Sequence, residues 1–196
     1  MTYDNSIFVA EGDSGTILTS SDGTTLTSRT SGTTEGLRGI TYENSTFVAV
    51  GESSTILTSS DGTSWYNRTS GTTRNLWDVI YGNSNFVTVG QSGYILTSTD
   101  NGTTWDKKTS GTSNFLYGVT YGNSNFVAVG DNGTILTSTD NGTTWGSKTS
   151  GTSNLLNGVT YGNSTFVTVG TSGNILSSSD GTSWDNRTSG TSNDLY

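Results

Sequence analysis

Apolar and polar positions alternate along this chain in short bursts, and the stretch beginning at Leu116 shows the rule. Leu116 to Tyr121 reads as a first strand (A), Phe126 to Gly130 as a second (B), Thr134 to Ser138 as a third (C) and Thr144 to Thr149 as a fourth (D). β-Branched and aromatic residues fill these segments, and turn formers bound them. The connections read Gly122-Asn123-Ser124, Asp131-Asn132-Gly133 and Asp140-Asn141-Gly142. Asn and Gly tolerate positive φ, so such connections favour tight hairpins and an antiparallel order. On strand B, Val127 and Val129 face one side, and Phe126, Ala128 and Gly130 face the other. Both sides are apolar or small. A strand with one wet face would alternate more sharply, so this strand is predicted to lie between two packed neighbours.

The same pattern recurs every 39 or 40 residues, with Tyr3, Tyr42, Tyr81, Tyr121 and Tyr161 in one frame and Phe8, Phe47, Phe86, Phe126 and Phe166 in another. The repeats cover about 2–40, 41–79, 80–119, 120–159 and 160–196. Four antiparallel strands in a repeat of this length are the signature of a propeller blade. The predicted fold is therefore all-β: a five-bladed β-propeller forming one domain over 1–196. Aligned on the repeat, Leu195 and Tyr196 fall where Leu116 and Tyr117 fall, and Met1 falls where Val119 does. The termini are thus expected to meet in one innermost strand, which closes the ring and removes an open sheet edge. An open solenoid is the alternative, but neither end carries the polar cap that it needs. Gly39, Gly118 and Gly158 fall in the innermost strand, where bulk is excluded. Trp65, Trp105, Trp145 and Trp184 are expected to begin the outermost one.

Composition narrows the function. The net charge of −8 speaks against nucleic acid and anionic membrane surfaces as partners. The chain has no Cys and no His, which removes disulfides, thiol and imidazole catalysis and most zinc sites. No cofactor or metal is expected. No apolar run is long enough for a membrane span, and the start carries no signal-peptide pattern. The absence of Pro and the fixed places of the apolar residues argue against disorder. The Ser, Thr, Gly and Asn content suggests an extracellular or cell-surface setting.

The segments Ser98-Thr-Asp-Asn-Gly-Thr-Thr-Trp105 and Ser138-Thr-Asp-Asn-Gly-Thr-Thr-Trp145 resemble the Asp-box, Ser-x-Asp-x-Gly-x-x-Trp, of sialidase-like propellers. The copies at Asp61 and Asp180 are one residue shorter, and Leu26 replaces Trp in the first repeat. The longer pattern, Phe-Val-x-Val-Gly followed by Ile-Leu-Thr-Ser-x-Asp-Gly-x-x-Trp, is similar to the repeats of the photosystem II assembly factor family Ycf48. The resemblance covers the whole chain and implies a propeller fold. It departs from that family, which carries more blades and a basic partner face. The Asp-box aspartates themselves read as turn acceptors, as in Asx-turns. A sialidase-like site also needs three converging arginines. Here Arg29, Arg68 and Arg187 share one repeat position, filled by Lys108 and Lys148 in the other copies, so symmetry spreads them apart. The chain is not expected to be an enzyme.

With strands A to D alternating in direction, the A–B and C–D turns share one face and the B–C and D–A connections share the other. The first face hardly varies between copies. The second does. Its D–A connections read Glu35-Gly36-Leu37-Arg38, Arg74-Asn75-Leu76-Trp77, Asn114-Phe115-Leu116-Tyr117, Asn154-Leu155-Leu156-Asn157 and Asn193-Asp194-Leu195-Tyr196. Its B–C turns open on Asp13, Glu52, Gln91, Asp131 and Thr171. Varied aromatic and polar residues on a rigid frame are how binding sites are presented. The candidate ligand-binding residues are Arg38, Trp77, Tyr117, Asn157, Tyr196, Asn114, Asn154 and Asp131. A monomeric, multivalent, lectin-like module that binds glycans on this face is the first reading, since several weak sites on one ring gain avidity. A protein-interaction or structural scaffold is the alternative. Glu11 occupies a core place held by Val50, Val89, Val129 and Val169 elsewhere, and Arg38 is its expected partner.

Overall fold

The computed structural model describes residues 1–4 and 6–196; Asn5 lies outside them. Among the described residues, twenty strands form five four-stranded antiparallel sheets, the blade architecture of a five-bladed all-β propeller. The first sheet holds β1 (Thr2–Asp4), β2 (Ile7–Glu11), β3 (Ile17–Ser20) and β4 (Thr27–Arg29). The second holds β5 (Leu37–Glu43), β6 (Thr46–Gly51), β7 (Ile56–Ser59) and β8 (Tyr66–Asn67). The third holds β9 (Leu76–Gly82), β10 (Asn85–Gly90), β11 (Ile95–Ser98) and β12 (Asp106–Lys108). The fourth holds β13 (Leu116–Gly122), β14 (Asn125–Gly130), β15 (Ile135–Ser138) and β16 (Gly146–Lys148). The fifth holds β17 (Leu156–Gly162), β18 (Thr165–Gly170), β19 (Ile175–Ser178) and β20 (Asp185–Arg187). In each sheet the strands neighbour one another in chain order.

The chain divides into two compact units, 1–88 with 96–107 and 89–95 with 108–196. Each unit buries the two-sided strands that the sequence predicts. In the first, Val9 and Ile17 of the first sheet pack with Leu37, Phe47, Ala49 and Leu57 of the second. In the second, Val127, Val129 and Ile135 of the fourth sheet pack with Leu156, Phe166 and Leu176 of the fifth. The valine side of one blade thus meets the phenylalanine and leucine side of the next. Within a blade, Tyr121 and Phe126 are cross-strand partners with ring centroids 4.6 Å apart, and Phe126 lies 6.4 Å from Trp145. Innermost strands approach closely: a Cβ on Gly118 would stand 3.1 Å from the Gly158 Cα, and one on Gly39 would stand 3.0 Å from the Asp78 Cα. Gly158 has open space at the same position. Residues 194–196 carry no strand, and the Leu195 amide donates to the Gly170 carbonyl at 3.1 Å.

Two local findings refine the predicted elements. The A–B hairpins turn on two residues, Asn123 and Ser124 in the fourth sheet, with φ of 46° and 62°. Positive φ at both positions matches the strand twist, but serine there is strained. Replacing Ser45, Ser84, Ser124 and Ser164 by Gly is expected to stabilise the fold by about 0.5 kcal/mol per site, net of glycine's greater unfolded-state freedom. A rise in the urea midpoint of the quadruple variant checks this. The second finding is a correction: the outermost strands start one residue after the tryptophans, not on them. The indole of Trp145 donates back to the Gly142 carbonyl at 3.1 Å, and Trp65 and Trp105 do the same to Gly62 and Gly102 at 3.0 Å. These tryptophans therefore belong to the turn.

The Asp-boxes act as turn clasps. Asp140 Oδ1 accepts the Thr144 amide at 2.9 Å and the Ser138 hydroxyl at 2.8 Å, and the Gly142 amide donates to Ser138 Oγ at 2.9 Å. In the shorter form, Asp61 Oδ1 accepts the Thr63 and Ser64 amides, both at 2.8 Å. Bonds to the ionised carboxylate hold all five aspartates below the usual range, Asp140 at about 2. Stabilisation from these groups is therefore full above the ordinary Asp pKa of about 4 and is lost as pH falls through the folded-state values. The urea midpoint should hold from neutral pH to about 4 and fall steeply towards pH 2. A flat midpoint over that interval would exclude this role.

Candidate functional site

The varied face is built by a bulge in the innermost strand. Leu116 pairs with Gly130, but the next pair is Gly118 with Val129, so Tyr117 is an extra residue. The same shift makes Arg38 the extra residue between Leu37 and Gly39, and Asn157 the extra one between Leu156 and Gly158. A bulge re-aims the side chain it carries. The glycine opposite each bulge lets the D–A connection press onto the B–C turn. The Asp131 amide donates to the Phe115 carbonyl at 3.0 Å, Glu52 to Gly36 at 2.8 Å and Thr171 to Leu155 at 2.9 Å. The two loops of each of these blades thus form one hydrogen-bonded rim. The B–C turns themselves are short 3-10 segments, such as Asp131–Gly133, with Asn132 at φ 54°.

In the first unit, Arg38 is half-exposed and spans two carboxylates. Its Nη1 lies 3.0 Å from Asp13 Oδ1, and its Nη2 and Nε both reach Glu52 Oε1. The bonds that Arg38 donates to Glu52, helped by the charge of Asp13, raise the Arg38 pKa further, and Arg38 in turn lowers that of Glu52. This overturns the expected Arg38–Glu11 pair. The bulge lifts Arg38 to the level of the B–C turns, where Asp13 and Glu52 wait, while Glu11 stays at strand depth. There Glu11 accepts from the Met1 amino group at 3.0 Å. Glu11→Val returns that amino group to water and fills the site with the repeat's own residue. The melting temperature is expected to stay level or rise, and a drop of several degrees would contradict this. Asn75 Oδ1 accepts the Ser53 amide at 3.0 Å, and Trp77 is half-buried.

In the second unit, Tyr117 is half-buried, with its hydroxyl within hydrogen-bonding reach of Asp131. Burial first, and the Asp131 charge second, raise its pKa. The Phe115 ring meets Tyr117 edge-on at 6.4 Å. Asn114 is tied into the rim, donating to Thr134 Oγ1 at 2.8 Å and accepting from Asn132 at 3.4 Å. Asn157 donates to the Leu195 carbonyl at 2.6 Å. The Asn154 amide donates to Thr152 Oγ1 at 3.0 Å, and Tyr196 is 91% exposed. Sequence reasoning passed over Phe115 and Asp194, whose Oδ1 accepts the Ser172 amide at 2.9 Å. Their place beside the fixed leucine in the D–A string was the available signal.

Three repeat-equivalent clefts lie along the outermost strands, beside Arg29 (640 Å³), Arg187 (550 Å³) and Lys148 (460 Å³). Arg29, Arg68 and Arg187 each donate from Nε to a hydroxyl of their own sheet, on Thr19, Thr58 and Ser177. Each is thus committed within its own sheet. Among the described residues, no group of three or more acidic side chains is placed to hold a metal ion.

No family model matches this chain, and no curated protein matches it by sequence. Its fold does match solved propellers. One, YCF48 bound to a D1 peptide, superposes with a TM-score of 0.72 at 19% identity, over 95% of this chain and 64% of that one. Another, YCF48 from Cyanidioschyzon merolae, gives a TM-score of 0.70 at 17% identity, over 96% of this chain and 70% of that one. This chain thus spans roughly two thirds of the length of these neighbours. At such identities the likeness establishes the propeller fold, with no activity attached.

Proposed function

We propose that this chain is a non-catalytic protein-interaction propeller and that its B–C and D–A loops are the contact face. The observation that carries the proposal is the repeated bulge, which presents a different side chain, Arg38, Tyr117 or Asn157, at the same place in the loops of its own blade. Rigid presentation with varied chemistry suits recognition of an irregular protein surface. A solved propeller of the same fold, bound to a peptide, supports a protein partner over a sugar. The hydrogen bonds point the same way. A sugar site leans on free side-chain amides, whereas Asn114 and Asn157 commit amide hydrogens to their own loops. The varied loops also carry Trp77, Phe115 and Tyr117, and aromatic rings are favoured at protein interfaces.

A peptide-display selection against the intact chain tests this. Selected binders are expected to lose at least tenfold in affinity to a Trp77→Ala/Tyr117→Ala variant, as hot-spot truncation costs about 1–2 kcal/mol. Selected binders that ignore this variant and compete at the Asp-box turns would reject the face. Saturable binding to one glycan class, with no peptide recovered, would restore the lectin reading.

A further inference from the structure

Charge is sorted by strand in this protein. Six of its eight basic residues, Arg29, Arg68, Lys107, Lys108, Lys148 and Arg187, lie on or beside the outermost strands. On the varied loops the bases are Arg38 and Arg74 alone, and Arg38 is already engaged by Asp13 and Glu52. The varied loops of the second unit contain no Lys or Arg at all, yet they hold Asp131 and Asp194. Asp194 is occupied by the Ser172 amide. Asp131 has a different setting. Its carboxylate is flanked by the Tyr117 hydroxyl, with Phe115 edge-on to the Tyr117 ring at 6.4 Å. The Phe115 amide also donates to Asp131 Oδ2, at 3.4 Å.

We infer that this corner of the second unit receives a basic segment of the protein partner, with a Lys or Arg side chain against the Tyr117 and Phe115 rings and its charge directed at Asp131. The inference rests on the protein-interaction reading and adds the chemistry of the partner. Aromatic faces attract cations through the ring quadrupole, and a carboxylate beside them completes the charge pairing. Two donors, the Phe115 amide and the Tyr117 hydroxyl, leave a carboxylate with lone pairs for a further donor. The second unit's varied loops, which have no Lys or Arg, leave no cation of their own to compete for Asp131. The net charge of −8 steers a basic segment inward and repels an acidic one. A neutral peptide would gain the rings but not the carboxylate.

The test uses the intact chain and three labelled peptides of equal length, built on a Gly-Ser repeat with Lys, Glu or Gln at every third position. Fluorescence anisotropy is expected to show binding of the Lys peptide alone, weakening as salt is raised. Asp131→Asn keeps the shape of the side chain and should weaken that binding about fivefold, and Tyr117→Leu should do so by a similar factor. Asp185→Asn, on the outermost strand, removes the same unit of charge and should change little. The inference fails if the Lys peptide does not bind, if the Glu or Gln peptide binds equally well, or if Asp185→Asn matters as much as Asp131→Asn. The display selection separates this failure from that of the broader reading. Neutral or acidic binders that depend on Tyr117 would keep the protein-binding face and reject its preference for cations. No binder on that face would reject both.

Discussion

Gly130→Ala is expected to lower the melting temperature by about 6–12 °C, the equivalent of about 3 kcal/mol in a chain of this size. The backbone at Gly130 is extended, with φ of −176°, so the residue is not needed for its conformational freedom. It is needed for space. A methyl group there would collide with the Phe115 carbonyl, which is the acceptor of the Asp131 amide. The substitution must push the D–A connection off the B–C turn and break the rim. Gly51, against the Gly36 carbonyl, and Gly170, against the Leu155 carbonyl, stand in the same relation. The three alanine variants should therefore behave alike in a thermal melt, and a neutral Gly130→Ala would mean that the two loops are not pressed together.

Phe126→Ala should cost still more, about 3–5 kcal/mol, because a fully buried ring is removed and a cavity remains. Phe126 packs at a tilt against Tyr121, centroids 4.6 Å apart, and approaches Trp145 at 6.4 Å, so its loss unseats both the innermost hairpin and the Asp-box turn. Phe126→Leu keeps most of the volume and should cost about 1.5 kcal/mol or less. Urea titration of the pair checks the gap between them. Equal losses would point to a specific ring interaction in place of volume.

Much of this architecture is legible in the sequence because it is written five times. The recurrence of Tyr121 and Phe126 equivalents gives the repeat, Val127 and Val129 against Phe126 and Ala128 give the two-sided packing, and Asp140 and Gly142 give the clasped turn. What eluded the sequence is geometry with no composition of its own. Leu116-Tyr117-Gly118 reads as continuous strand, and nothing in those residues says that Tyr117 is the extra one. That depends on where Gly130 stands across the ladder. For the same reason, the repeat alone offers Glu11 as the partner of Arg38, whereas the bulge raises Arg38 to Asp13 and Glu52. The loop residues drawn as ligand contacts were visible as variation, but variation alone does not separate Asn114, tied into its rim, from Tyr117, which presents a ring.

The most direct measurement is backbone hydrogen exchange of the intact chain with and without a saturating display-selected peptide. The expected result is added protection confined to the B–C and D–A loops, including 114–118 and 130–134, with the Asp-box turns around Asp100 and Asp140 unchanged. Protection centred on those turns, or on the outermost strands, would contradict the assignment of the binding face.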